Sequence, residues 1–117
     1  MFGIRKKTTL QKNVALLDKQ SRQKLNLFQK RNLTLGFEHI QTLAAKADYH
    51  RLLRNLYETQ WKEASERLRE AKLARADTSK IELELEKLEE REKEEDYIYG
   101  TVVKKFKKAA EIRQNIN

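Results

Sequence analysis

Between Gly36 and Arg75 the chain keeps an apolar stripe at helical spacing with no breaker inside it. Ile40, Leu43, Ala47, His50, Leu53, Tyr57, Trp61, Ala64, Leu68 and Ala71 follow one another at steps of three and four. That spacing lines one face of an α-helix. Tyr49, Leu52 and Leu56 add a second row and broaden the face in its middle. At 1.5 Å per residue such a helix is about 60 Å long. It cannot bury its stripe against itself, so another segment must lie along it.

That segment is sought first in the same chain. Ala76-Asp77-Thr78-Ser79-Lys80 groups three residues that favour caps over helix interiors, and Ser79 with Glu82 has the spacing of a capping box. A turn is predicted near residues 77–80. Beyond it Ile81, Leu85, Leu88, Glu92, Glu95, Tyr99, Val102, Phe106, Ala109 and Arg113 alternate steps of four and three without a slip. This is a heptad seam whose middle two positions are glutamates. An antiparallel fold-back sets Leu88 against Leu68, Tyr99 against Tyr57, Val102 against Leu56 and Phe106 against Leu52. A short connection also forces antiparallel neighbours. Gly100, among β-branched and aromatic residues, is expected to bend this second arm rather than to end it.

Upstream, Thr8-Thr9-Leu10-Gln11 carries a first capping box, and a basic helix is predicted to run from there to a boundary at Thr34–Gly36. Its apolar stripe is narrow: Leu10, Val14, Leu17, Leu25 and Phe28. A helix this polar needs a partner to stay folded. The predicted organisation is therefore a flexible basic N-terminus over 1–7, a basic helix over 8–35 and an antiparallel, coiled-coil-like helical hairpin over 36–117.

Composition agrees. The 117 residues are 38% hydrophobic and 38% charged, with no proline and three glycines. That mix belongs to long helices, whereas a β-fold would need frequent turn punctuation, so the chain is predicted all-α. There is no cysteine, hence no disulfide framework and no thiolate metal site. No apolar run is long enough to span a bilayer, and the N-terminus lacks the apolar core of a secretory signal. An intracellular setting, cytoplasmic or nuclear, is expected.

Catalysis finds little to work with. His39 and His50 are the only histidines and lie about 16 Å apart along one helix, too far to share a metal. Glu89–Asp96 lacks the turn and ligand spacing of a calcium loop and reads as a solvated helix face. There is no glycine-rich phosphate loop and no nucleophile elbow. The chain is expected not to be an enzyme and to need no cofactor.

Charge says more. The net charge is +8, and residues 1–31 carry nine Lys/Arg against the single acid Asp18. Residues 76–96 hold ten acids and four bases, and 97–117 five bases and one acid. Arg5, Lys6, Lys7, Lys12, Lys19, Arg22, Lys24, Lys30 and Arg31 wrap the first helix, and Lys104, Lys105, Lys107 and Lys108 flank Phe106. Lys104 and Lys108 repel at i,i+4 unless an anion neutralises them. This pattern points to nucleic-acid phosphates as the partner, RNA ahead of DNA, in a small nucleoprotein component. An acidic protein surface is the second reading and a membrane surface the weakest. As a coiled-coil adaptor the chain would instead bury Leu10, Val14, Leu17, Leu25, Phe28, Tyr49, Leu52 and Leu56 against other subunits or a second copy. Phe2, Phe28 and Phe37 are less tied to the seam than Tyr49, Tyr57, Trp61, Tyr99 and Phe106 and are candidates for partner contact.

Overall fold

The computed structural model describes residues 8–116 as three helices, α1 (Thr9–Leu35), α2 (Ile40–Leu73) and α3 (Ser79–Ile116). No strand occurs among the described residues. The helices pack into a rod of 66 × 27 × 19 Å. Its long dimension matches the helix length expected from the stripe of α2.

Each helix begins and ends for a local reason. Thr8 Oγ1 accepts from the Gln11 amide at 3.1 Å while the Thr8 amide donates to Gln11 Oε1 at 3.0 Å, the capping box anticipated for α1. Gly36, at φ +88°, closes α1 with its amide on the Asn32 carbonyl at 3.1 Å. Only glycine holds that backbone without a Cβ penalty. The start of α2 is unexpected: His39, read from sequence as a plain surface residue, caps it through Nδ1, which accepts from the Gln41 amide at 3.1 Å.

Between α2 and α3 the chain leaves through a Schellman pattern, with Ala76 N–H on Ala71 O at 2.9 Å and Arg75 N–H on Lys72 O at 3.1 Å. Arg75 occupies the left-handed position there, at φ 54°. The expected Ser79–Glu82 box does not form. Asp77 Oδ1 instead accepts from the Ser79 amide at 3.0 Å and the Ser79 hydroxyl at 2.7 Å. These bonds pull the Asp77 carboxyl below its usual range, the backbone amide first. Helix α3 then runs on through Gly100, which does not end it.

Helix α2 is the centre of the rod. It packs against α1 on one flank and α3 on the other, and among the described residues α1 and α3 do not pack together. Arg31 and Lys24 of α1 reach the Gln41 carbonyl at 3.1 Å and Asp48 at 3.7 Å. Thr42, Ala45, Tyr49, Leu52 and Leu56 follow helical steps along that flank, and Thr42, Ala45 and Leu56 are buried. Of the broad band of α2, Leu56 is buried and Tyr49 and Leu52 are half-buried. Half-buried Leu10, Val14, Leu17, Leu25 and Phe28 line α1, whose one packed neighbour among the described helices is α2.

On the other flank, the α3 seam is buried or half-buried at every position from Ile81 to Ala109. Its register differs from the expected one. Arg67 meets Glu84 at 2.8 Å, Trp61 Nε1 donates to Glu89 at 3.2 Å and Arg54 meets Asp96 at 2.9 Å. The expected pairing would have set Glu84 beside Leu73 and Glu89 beside Leu68. The arms are displaced by about one heptad, so Val102 lies near Leu43 and Lys46 instead of Leu56. A heptad seam is nearly unchanged by a slip of one full repeat, and the charged pairs break the degeneracy.

Candidate nucleic-acid interface

Because α1 and α3 diverge across α2, two grooves open between them with α2 as the floor. The larger, about 830 Å³, lies toward the α2–α3 turn and includes Val14, Glu63, Leu83, Glu84, Lys87 and Arg91. Its two carboxylates are held from α2: Arg67 meets Glu63 and Glu84, each at 2.8 Å, and Glu84 raises the Arg67 guanidinium further above its ordinary range. Lys80, Lys87 and Arg91 on its α3 wall have no carboxylate partner among the described residues, so this groove also carries free positive charge, but no aromatic side chain lines it.

The second groove, about 390 Å³, lies at the opposite end. Its apolar lining is Phe28, Phe37, Leu43, Val102, Ala109 and Ile112, and its rim carries Lys46, Lys105 and Lys108 against one acid, Glu38. Leu43 and Val102 are sealed into the core at 5% and 2% exposure. Phe37 and Ile112, at 69% and 52%, are open to solvent. Lys46 Nζ stands 5.8 Å from the Phe28 ring centre, a distance at which an ammonium is attracted to the ring face.

The sequence-predicted bases fall into three sets. Arg5, Lys6 and Lys7, with Phe2 before them, lie outside the described residues. Arg22, Lys24 and Arg31 are engaged within the chain: Arg22 meets Asp18 at 3.2 Å, and Lys24 and Arg31 reach α2. Lys12, Lys19, Lys30, Lys104, Lys105, Lys107 and Lys108 are exposed, and none has a carboxylate partner among the described residues. Helix α1 leaves α2 at the end where α3 presents Lys105 and Lys108. Gly36 reverses the chain, so α1 returns along α2 and carries Lys12 to the acidic, turn-side half of the rod. Lys30 and Arg31 stay at the end where α3 presents Lys104–Lys108.

The groove itself is not in the sequence reading. Phe37 and Lys46 flank the start of α2, the fold-back of α3 brings Lys105 to them, and the return of α1 adds Phe28. The remaining polar centre is structural: His50 and Glu95 form a shielded pair, and Tyr49 beside it titrates above its usual range through burial first and the Glu95 charge second. No group of three His, Asp or Glu side chains among the described residues is placed to hold a metal ion. No described helix is long and apolar enough to cross a membrane. Comparison with protein-family models, with curated proteins and with solved structures finds no match for this chain, so the functional argument rests on its own residues.

Proposed function

We propose that the protein is a non-enzymatic, helical nucleic-acid-binding protein that holds a phosphate backbone at the Lys104–Lys108 end of the rod and serves as a small part of a nucleoprotein assembly. One observation carries this reading. Four lysines lie within the five consecutive residues 104–108 of α3, all exposed and without a carboxylate partner among the described residues, whereas Arg54 and Arg67 in the middle of the rod are tied to acids across the helices. Like charges at i,i+3 and i,i+4 oppose the helix that carries them. Phosphates relieve that repulsion, and each one neutralised releases condensed counterions. Lys30 and Lys46 extend the same positive end onto α1 and α2.

The test is the salt dependence of RNA binding, followed by fluorescence anisotropy on a labelled oligonucleotide. Affinity should fall steeply as salt rises. Replacing Lys104, Lys105, Lys107 and Lys108 together by Gln should flatten that slope by about three to four and leave the helical circular-dichroism signal intact. A flat salt response in the native protein, or binding indifferent to the quadruple change, would overturn the reading.

The adaptor alternative would draw on exposed Leu33, Leu73 and Tyr97, at 88%, 80% and 78% exposure. Leu33 has exposed Leu35 and Phe37 close by in the chain, whereas Leu73 and Tyr97 lie on other helices, and scattered exposed apolar residues are ordinary. Leu56 is buried and Tyr49 and Leu52 are half-buried, which leaves this reading less apolar surface than their full exposure would give. A stable oligomer in light scattering, without any shift on added RNA, would favour it.

A further inference from the structure

We propose that the groove between α1, α2 and α3 at the basic end receives an unpaired nucleobase, stacked on Phe37, while Lys105 and Lys108 hold the flanking phosphates. The preferred ligand is thus a single strand. This deepens the phosphate-binding reading and rests on it.

The apolar surface on offer is small and aromatic. Leu43 and Val102 are already sealed, so the accessible part of the lining is mainly the Phe37 ring with Ile112 beside it. An amphipathic protein helix needs a row of anchors over several turns. A nucleobase needs one ring face and an apolar edge, and every base has a π-face to give. Phe37 sits in the Gly36–His39 connection, held by the His39 amide on the Gly36 carbonyl at 3.3 Å and by the His39 cap on α2. Its ring is therefore presented from a fixed backbone and is not spent on the core.

Charge complementarity selects the occupant. Lys105 and Lys108 are three apart on α3, hence on one helix face, and both line the groove with Lys46. Three cations against Glu38 leave the rim positive. A duplex could use those lysines but could not offer a base face to Phe37 without losing a pair, whereas single strands splay their bases onto aromatic side chains. The cations and the exposed ring together therefore favour unpaired nucleic acid over duplex.

The experiment compares a short labelled single-stranded RNA with the duplex of the same sequence. The protein carries, in turn, Phe37→Ala, Phe37→Tyr and Lys105→Gln. The single strand should bind more tightly. Phe37→Ala should weaken it about tenfold or more with an unchanged salt slope, and Phe37→Tyr should bind nearly as the native protein does. Lys105→Gln should lower the salt slope by about one. Phe37 is exposed, so circular dichroism should show these variants folded. If Phe37→Ala binds the strand normally, or if the duplex binds equally well, the base pocket is overturned while phosphate binding stands. If neither RNA binds, both readings fall. Capture of an acidic helical peptide in the groove, lost with Phe37→Ala while RNA binding persists, would also overturn it.

Discussion

His50 Nδ1 lies 2.6 Å from Glu95 Oε2, with the two side chains only 13% and 12% exposed. The pair sits where the α3 seam substitutes glutamate for an apolar residue, and it ties that seam to the stripe of α2. A shielded polar pair adds little net stability over apolar residues of similar size, but losing one partner strands the other. Glu95→Ala is therefore expected to cost about 2 kcal/mol. The double change His50→Leu with Glu95→Leu should recover most of it. Urea unfolding of the two single variants and the double reads this directly. Additive losses in the double variant would show that the pair does not act as a unit.

That pair also marks the limit of what the sequence discloses. The helices, the Thr8–Gln11 box, the break before Gly36 and the turn after Leu73 are all legible, because each depends on residues close together in the chain. The seam from Ile81 to Ala109 is legible because its period is. The register is not, since an apolar heptad pattern fits itself again after one repeat. What selects the register is the match of Arg54 with Asp96 and Arg67 with Glu84, and charges on long side chains leave no periodic signal. The basic groove inherits this limit. Lys105 reaches Phe37 and Lys46 through the fold-back of α3, and Phe28 joins them only through the return of α1.

Glu92 makes the pH dependence specific. It is the other glutamate on the seam, half-buried, and its carboxyl titrates above the ordinary 4.5, through burial first and then the nearby Glu58 charge, against the opposing pull of Arg54. A carboxyl raised in the folded state holds its proton at pH values where the unfolded chain has released it. Its contribution is thus most favourable below pH 4.5 and is lost as pH rises through the folded value. Glu92→Gln should unfold at higher urea than the native protein at about pH 7, with the gap closing by about pH 4. An equal gap at both would remove Glu92 as its source.

Arg75 sits at φ 54° in the Schellman turn that ends α2, where a side chain costs energy that glycine avoids. Arg75→Gly should raise stability by about 1 kcal/mol, partly offset by the greater freedom of glycine in the unfolded chain. Arg75→Ala keeps the Cβ and should not show the gain. Urea midpoints with unchanged m-values are the measurement. A loss on going to glycine would mean that the turn, as described, is not the one the protein adopts.

The last prediction concerns the one fully enclosed hydroxyl. Thr42 is 0% exposed on the flank of α2 that faces α1, and its Oγ1 has no hydrogen-bond partner among the described residues. A hydroxyl taken from water and left unbonded costs about 1–3 kcal/mol, and a methyl in its place costs nothing comparable. Thr42→Val keeps the branched shape, so the packing between α1 and α2 should hold. The expected outcome is a gain of about 1 kcal/mol, since threonine and valine share β-branching and nearly equal helix propensity. Thr42→Ser keeps the hydroxyl and leaves a methyl-sized void, so it should be less stable than the native protein. If Thr42→Val instead destabilises while Thr42→Ser is tolerated, the hydroxyl has a partner in solution. The contact between α1 and α2 would then be looser than described, loose enough to admit water at Thr42.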